Sequence, residues 1–187
     1  MIRLALAALL IAAQALAAPA PYRLDTDRSV VGFTYSLAGN AGRGTMPVAS
    51  ADMVLDLANP GQSRVTVTLD ASGARAGFFL ATQAMKGPQG LDTARHPSIT
   101  FRSTAITGTL GKARVEGLLT VRGTTRKVTL DAGLYRQRGT DAADLTRLTV
   151  LLTGQVDRHD FGVTGFPGLV GPMIGLRIVA RIARYGE

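Results

Sequence analysis

From about residue 30 to the C-terminus, apolar and polar residues alternate with a period of two. In SVVGFTYSL, Val31, Phe33, Tyr35 and Leu37 share one face, while Gly32, Thr34 and Ser36 share the other. ADMVLDL places Met53, Leu55 and Leu57 opposite Asp52 and Asp56. The same alternation puts Val65, Val67 and Leu69 on one face, then Ile99 and Phe101, then Val115, Leu119 and Val121. It continues through Val128, Leu130, Ala132 and Leu134, through Leu148, Val150, Leu152 and Val156, and through Ile174, Leu176, Ile178, Ala180 and Ile182. Successive side chains of an extended chain point to opposite faces, so each segment predicts a strand with one apolar and one wet face. Turn formers separate the segments: Asn59-Pro60-Gly61, Thr107-Gly108, Gly123 and Gly139. About eight such strands without a helical layer predict an all-β, antiparallel sheet that must fold on itself, as a sandwich or a closed barrel.

Two segments break the rhythm. Between Arg75 and Pro97, the residues Phe78, Phe79, Ala81, Thr82 and Met85 have helical spacing, and Gly87-Pro88 ends it. This predicts a short helix or structured loop across one end of the sheet. The second segment, FGVTGFPGLVGPMIG, is rich in Gly, Pro and large apolar residues. It is too interrupted to span a membrane, and so either folds into a barrel mouth or stays exposed for a partner.

Composition narrows the picture. Aromatic residues are 5% of the chain and Trp is absent, so the apolar face is built from Val, Leu, Ile and Ala. The N-terminal stretch carries Arg3, an apolar run from Leu4 to Ala13, and then Ala15-Leu16-Ala17. That is the plan of a secretory signal peptide, expected over residues 1–17, ahead of one domain over 18–187. The domain is then exported, most simply to a bacterial periplasm. With no Cys in the chain, thiol catalysis, thiolate metal sites and disulfides are excluded.

The net charge is +8, which suits anionic lipid head groups or other polyanions. The cations are scattered, and no aromatic residues interleave with them as in a base-stacking platform, so nucleic acid is not expected as a partner. The hairpin tip Arg122 to Lys127, with Arg122, Arg126 and Lys127, reads as a solvated turn.

VDRHDFGV is the most chemical-looking stretch. Its Asp160-Phe161-Gly162 matches a kinase tripeptide, but no phosphate loop, strand Lys or His-Arg-Asp loop accompanies it. Asp157, His159 and Asp160 could supply metal ligands or a hydrolytic acid-base set, with His96 as the other histidine. In an extended chain Asp157 and His159 share a face while Asp160 points away, and His96 precedes Pro97 as a turn residue. The stretch therefore reads as a charged strand end. No metal and no cofactor is expected.

Three strings then occur in order: DTARHPSITFRSTAI, GLLTVRGTTRKVTLDAGL and VDRHDFGV, preceded by YRLDTDRSVVGFTYS. Together they resemble the YceI-like family of exported bacterial proteins. The likeness covers nearly all of 18–187, and departs from the family pattern at Arg28, where His is usual. The resemblance implies an extended eight-stranded antiparallel lipocalin-like barrel, a polyisoprenoid or similar long-chain amphiphilic lipid in its interior, and no catalytic residue. It makes VDRHDFGV a strand-end motif in which Arg158 and Asp160 hold neighbouring loops, Phe161 packs inward and Gly162 allows a bend.

The expected ligand-binding residues are the inward set and the loops at its ends. They are Val31, Phe33, Tyr35, Val67, Leu69, Phe78, Phe79, Ile99, Phe101, Val115, Leu119, Leu130, Val150, Leu152, Phe161, Phe166, Leu176 and Ile178. Phe78, Phe79, Phe166 and Leu169 are the expected lid. The expected function is that of a carrier or reservoir for an isoprenoid lipid such as a quinone or polyprenyl phosphate, in transient contact with a membrane or membrane protein. The competing readings are a packed-core module that docks a membrane partner through Phe166–Ile174, and a hydrolase built on Asp157, His159 and Asp160.

Overall fold

The computed structural model describes residues 18–136, 139–141 and 144–186; the signal peptide expected over 1–17 lies outside the described residues. The strands are β1 (Ala20–Leu24), β2 (Val30–Leu37), β3 (Asn40–Met46), β4 (Val48–Leu55), β5 (Arg64–Asp70), β6 (Arg75–Ala76), β7 (Ser98–Thr109), β8 (Lys112–Val121), β9 (Thr124–Arg136), β10 (Arg147–Asp157) and β11 (Met173–Arg184). One α-helix, α1 (Phe79–Lys86), interrupts them. All pairings are antiparallel, and β1 pairs with β4 on one side and β11 on the other. This closes the ring β1-β4-β5-β7-β8-β9-β10-β11, an eight-stranded barrel with no free edge in that course.

β2, β3 and β6 prolong the wall beyond the ring. β2 continues the path of β1, β3 runs into β4 across Pro47, and β2 pairs with both β3 and β11. Two irregularities let the long strands curve. The ladder shifts between Val48 and Ser50 in β4, and between Ser103 and Ala105 in β7. An extra residue moves the inward set from one parity to the other, so Ile99 and Phe101 face inward before the bulge and Ile106 after it. At the β7 bulge the Ser103 hydroxyl accepts from the Val65 N–H at 2.9 Å, replacing a missing ladder acceptor.

All eight segments picked out by alternation are strands. β3, NAGRGTM, has almost no apolar alternation because two of its inward positions, 42 and 44, are glycines and only Met46 among them is apolar. Gly44 pairs with Phe33 and Gly42 with Tyr35. A Cβ on either glycine would overlap the ring of its partner. The rings therefore lie against the wall, over bare backbone, instead of standing into the interior.

The two ends differ. At one lie the β2–β3 turn, the 71–97 segment with α1, the Arg122-Gly123 turn and the 158–172 segment. This is the helix end. At the other lie Asp56–Ser63, the β7–β8 turn and the described part of the β9–β10 connection; of the polar hairpin expected at Asp141 to Asp144, residues 142 and 143 lie outside the described residues. Buried residues gather near the ends: Val31, Met46, Ile99, Val121 and Phe161 below the helix end, and Tyr22, Met53, Leu148 and Ile182 near the other.

Candidate ligand-binding cavity

Between those clusters a third, Ile106, Val115 and Leu130 with Phe101, Leu152 and Leu176 against them, packs along one wall without filling the interior. Leu148 is the largest fully buried side chain among the described residues, whereas Phe33, Leu69, Phe101, Leu119, Leu152 and Leu176 are only half-buried. A closed wall separates them from outside solvent, so their remaining exposure is to the inside. Close-packed cores leave few voids larger than a water molecule. Here the interior is a cavity of about 760 Å³.

Every residue expected to bind ligand lines this cavity except Phe79, which is 71% exposed and faces outward. Phe33 and Tyr35, two residues apart on β2, hold ring centroids 6.2 Å apart along the wall. Phe101 lies over Gly117 in the same way that Phe33 lies over Gly44. The lining also includes Met46, Val48 and Ala51 on either side of the β4 bulge and Leu80 and Ala84 on α1, none singled out from the sequence, and Ala81 and Met85, read there only as helical positions. On the helix the signal was present as the i, i+4 pairs Leu80/Ala84 and Ala81/Met85. On β4 the bulge broke the alternation that would have shown it.

The helix end is closed by polar pins around an apolar lid. Arg158 leads a 3₁₀ turn, Arg158–Phe161, and is 7% exposed. Its guanidinium donates to the Gly171 oxygen at 3.0 Å, Val163 at 2.8 Å, Gly165 at 2.7 Å and Val170 at 2.9 Å. These carbonyls span the Gly-rich segment, which carries Phe166, Leu169 and Val170 against the cavity. Burial pushes the Arg158 pKa down from its usual value, and nearby Asp157 partly opposes this. Arg122 is the second pin. It was expected on a solvated hairpin tip, but it donates to the Gly90 oxygen at 2.9 Å and more weakly to Gly162 at 3.4 Å. Gly165 N–H donates to the Gln89 oxygen at 3.2 Å, joining the two loops directly.

Asp160 does not share this task. It is exposed and holds neither loop, because the chain leaves the strand at Arg158 and the 3₁₀ turn directs position 160 outward. Phe161 is 3% exposed and packs inward, and Gly162 takes the left-handed conformation that ends the turn (φ 73°). Asp157 Oδ1 accepts from the His159 N–H at 2.8 Å and lies 3.4 Å from His159 Nδ1. It acts as the cap of that turn. Asp56, at the opposite end of the cavity, is 4% exposed, and its carboxylate accepts from the Ala58 and Asn59 N–H groups at 3.0 and 2.7 Å. Both charged groups on the lining are thus spent on backbone.

The fold is thus a closed antiparallel barrel with an apolar interior and one helix-capped end. Residues 22–182 match the YceI-like domain, and the chain belongs to that family. Protein YceI of Salmonella arizonae is 27% identical over 121 residues, a match taking in 65% of this chain and 63% of that protein. The YceI proteins of Salmonella paratyphi B and Salmonella newport match equally well. Among solved structures, BcnA of Burkholderia cenocepacia aligns with a TM-score of 0.73 at 21% identity, over 86% of this chain and 99% of BcnA. The YceI protein of Campylobacter jejuni aligns with a TM-score of 0.61 at 20% identity, over 74% and 81% of the two chains. The two structural likenesses are likenesses of fold.

Proposed function

We propose that this protein holds the tail of a polyisoprenoid or similar long-chain amphiphilic lipid in the barrel interior, for transport or storage, and does no chemistry on it. The supporting observation is the cavity of about 760 Å³ inside a closed wall, lined almost throughout by apolar side chains. That volume lies within the range of about 300–1,000 Å³ usual for small-molecule sites. Each buried CH₂ is worth about 0.8 kcal/mol, so about ten of them reach micromolar affinity before the cost of ordering the tail. The charged lining groups, Arg158 and Asp56, are engaged with backbone, so a polar head group belongs at the mouth and not inside. Export through the N-terminal signal and a periplasmic location complete the reading.

Native mass spectrometry of protein prepared without detergent, followed by solvent extraction, tests it. A stoichiometric adduct that extracts as an isoprenoid is the expected result. A protein that is free of adduct, and stays so after incubation with polyprenols and quinones, refutes the proposal.

Gly42 offers a subtler test. The side chain of an alanine there would overlap the Tyr35 ring, which lines the lumen and must shift to make room. Gly42→Ala is expected to cost about 1–3 kcal/mol of stability, because the Tyr35 ring must turn to clear the new Cβ. It should weaken uptake of a long prenol by about tenfold, through loss of roughly two methylenes' worth of space. Unchanged titration of a prenol into the variant would show that Tyr35 does not bound the ligand site.

A further inference from the structure

The cavity opens where residues both line it and remain exposed. Phe78 (52% exposed), Leu80 (71%) and Leu169 (47%) meet both conditions at the helix end. Phe79, between the first two, is 71% exposed and is not part of the lining. Neither the barrel's packing nor its cavity gives it a role. Three successive large apolar residues at the start of a two-turn helix, beside Leu169, form an apolar rim around the mouth.

Cations outnumber acids beside this rim: of the acids in the 71–97 and 158–172 segments, Asp92 is ion-paired to Arg95 and Asp160 lies on the 3₁₀ turn. Residues 28–51, 71–91 and 161–186, which build β2, β3, β6, α1, the Gly-rich segment and β11, contain no Asp or Glu. Their cations on the helix-end half are Arg43, Arg75, Lys86 and Arg177. In the wall below Phe78, Arg75 pairs with Thr45, Thr45 with Gly32 and Gly32 with Arg177, in one row across four strands. Ala76 and Ile178, the neighbours of the two arginines, face the cavity, so Arg75 and Arg177 face outward, and both are exposed. Arg43, one outward position further up β3, is exposed as well.

We propose that this rim docks on an anionic lipid bilayer, with Phe78, Phe79 and Leu80 entering the interface and Arg43, Arg75 and Arg177 meeting lipid phosphates. An apolar wedge with a flanking basic face is the pattern of a protein that lies on a membrane. Among the described residues no helix is long and apolar enough to cross one, so the contact is peripheral. Docking in this orientation apposes the cavity mouth to the bilayer, and a tail passes between lipid and lumen without crossing water. In that sense the inference rests on the lipid-binding reading, and names the source and destination of the cargo.

Flotation of the purified protein with vesicles of phosphatidylethanolamine and phosphatidylglycerol, compared with phosphatidylcholine vesicles, tests it. Binding to the anionic vesicles that weakens as salt is raised above about 0.1 M is expected. Phe79→Asp should lower the bound fraction by about tenfold or more, since a large side chain leaves the interface and a carboxylate replaces it. Arg75→Glu should lower binding to anionic vesicles only. An Asp at the first turn of a helix is well tolerated, so the Phe79 variant should fold with unchanged melting temperature. Its solvent-extractable lipid should also match wild type, because position 79 is outside the cavity. Wild-type protein that fails to float with anionic vesicles overturns the docking surface, as do variants that float as well as wild type. Wild-type protein that floats but yields no extractable lipid supports the docking surface while removing the cavity reading.

Discussion

Replacing Arg158 by Met is expected to lower stability by about 3 kcal/mol or more, the largest effect of any single change considered. The guanidinium makes four hydrogen bonds to carbonyl oxygens of Val163, Gly165, Val170 and Gly171. A methionine fills much of the volume and supplies no donor. Each carbonyl then loses its partner in a place where only 7% of the arginine surface meets water. For a chain of this size, about 3 kcal/mol corresponds to a fall in melting temperature of roughly 6–12 °C. Arg158→Lys should recover little of this, because one ammonium cannot match a planar fork that reaches four acceptors. The loss should be concentrated in the Gly-rich segment. Faster hydrogen exchange of the amides of Val170 and Gly171, which bond to Phe166 and Ser36, is the specific signature. A melting temperature within about 2 °C of wild type would show that water replaces the guanidinium at little cost, and that the segment is held by other means.

The second large effect is the loss of cargo on filling the lumen. Leu152 sits on β10 between Ala132 and Ile178, half-buried and facing the cavity. In a packed core, Leu152→Trp would overpack and cost about 1–3 kcal/mol. In a hollow barrel the indole enters empty space, and stability should hold or rise slightly. Tail binding should then fall by about a hundredfold or more, because three to four methylenes lose their place at about 0.8 kcal/mol each. The two readouts together are decisive. A destabilised variant with unchanged lipid content would mean a filled core at this level and a ligand held elsewhere. A stable variant depleted of lipid would place the ligand beside β10.

The alternation of apolar residues was sufficient to identify eight strands, but not β1, whose five residues with Tyr22 and Leu24 inward are too few to show a period beside Pro21. Each of the eight announces its inner face with a period of two, and the wall could be read residue by residue from Val31 to Ile178. The other places where legibility failed share one cause: information held by a partner strand. In β3 the glycines at 42 and 44 make sense only opposite the rings of Tyr35 and Phe33. In β4 the bulge near Val48 changes which parity faces inward. Phe79 looked like a lining residue because it stands in an apolar run, and only the orientation of α1 turned it outward.

VDRHDFGV shows the same division at the level of a site. Its residues identified a charged strand end, and the family resemblance implied the inward Phe161 and the glycine bend at Gly162. The partners of Arg158 could not be read from it, since they are backbone carbonyls of a segment five to thirteen residues further on. Nor could those of Arg122, which lie 32 and 40 residues away in sequence.

What the sequence determined by itself is the chemistry of the two faces: an apolar lining, a polar exterior, a basic balance, and two irregular segments that belong to an end of the barrel. Those are properties of residue type and spacing, and need no partner. What the tertiary structure decided is whether the lining meets itself. The same alternating strands pack face to face in a sandwich and stand apart in a ring. Closure of β1 onto β11 sets the radius, and the radius leaves side chains as small as Val and Leu unable to fill the middle. The cavity is thus a consequence of ring geometry acting on modest side-chain volumes, and no single strand carries it.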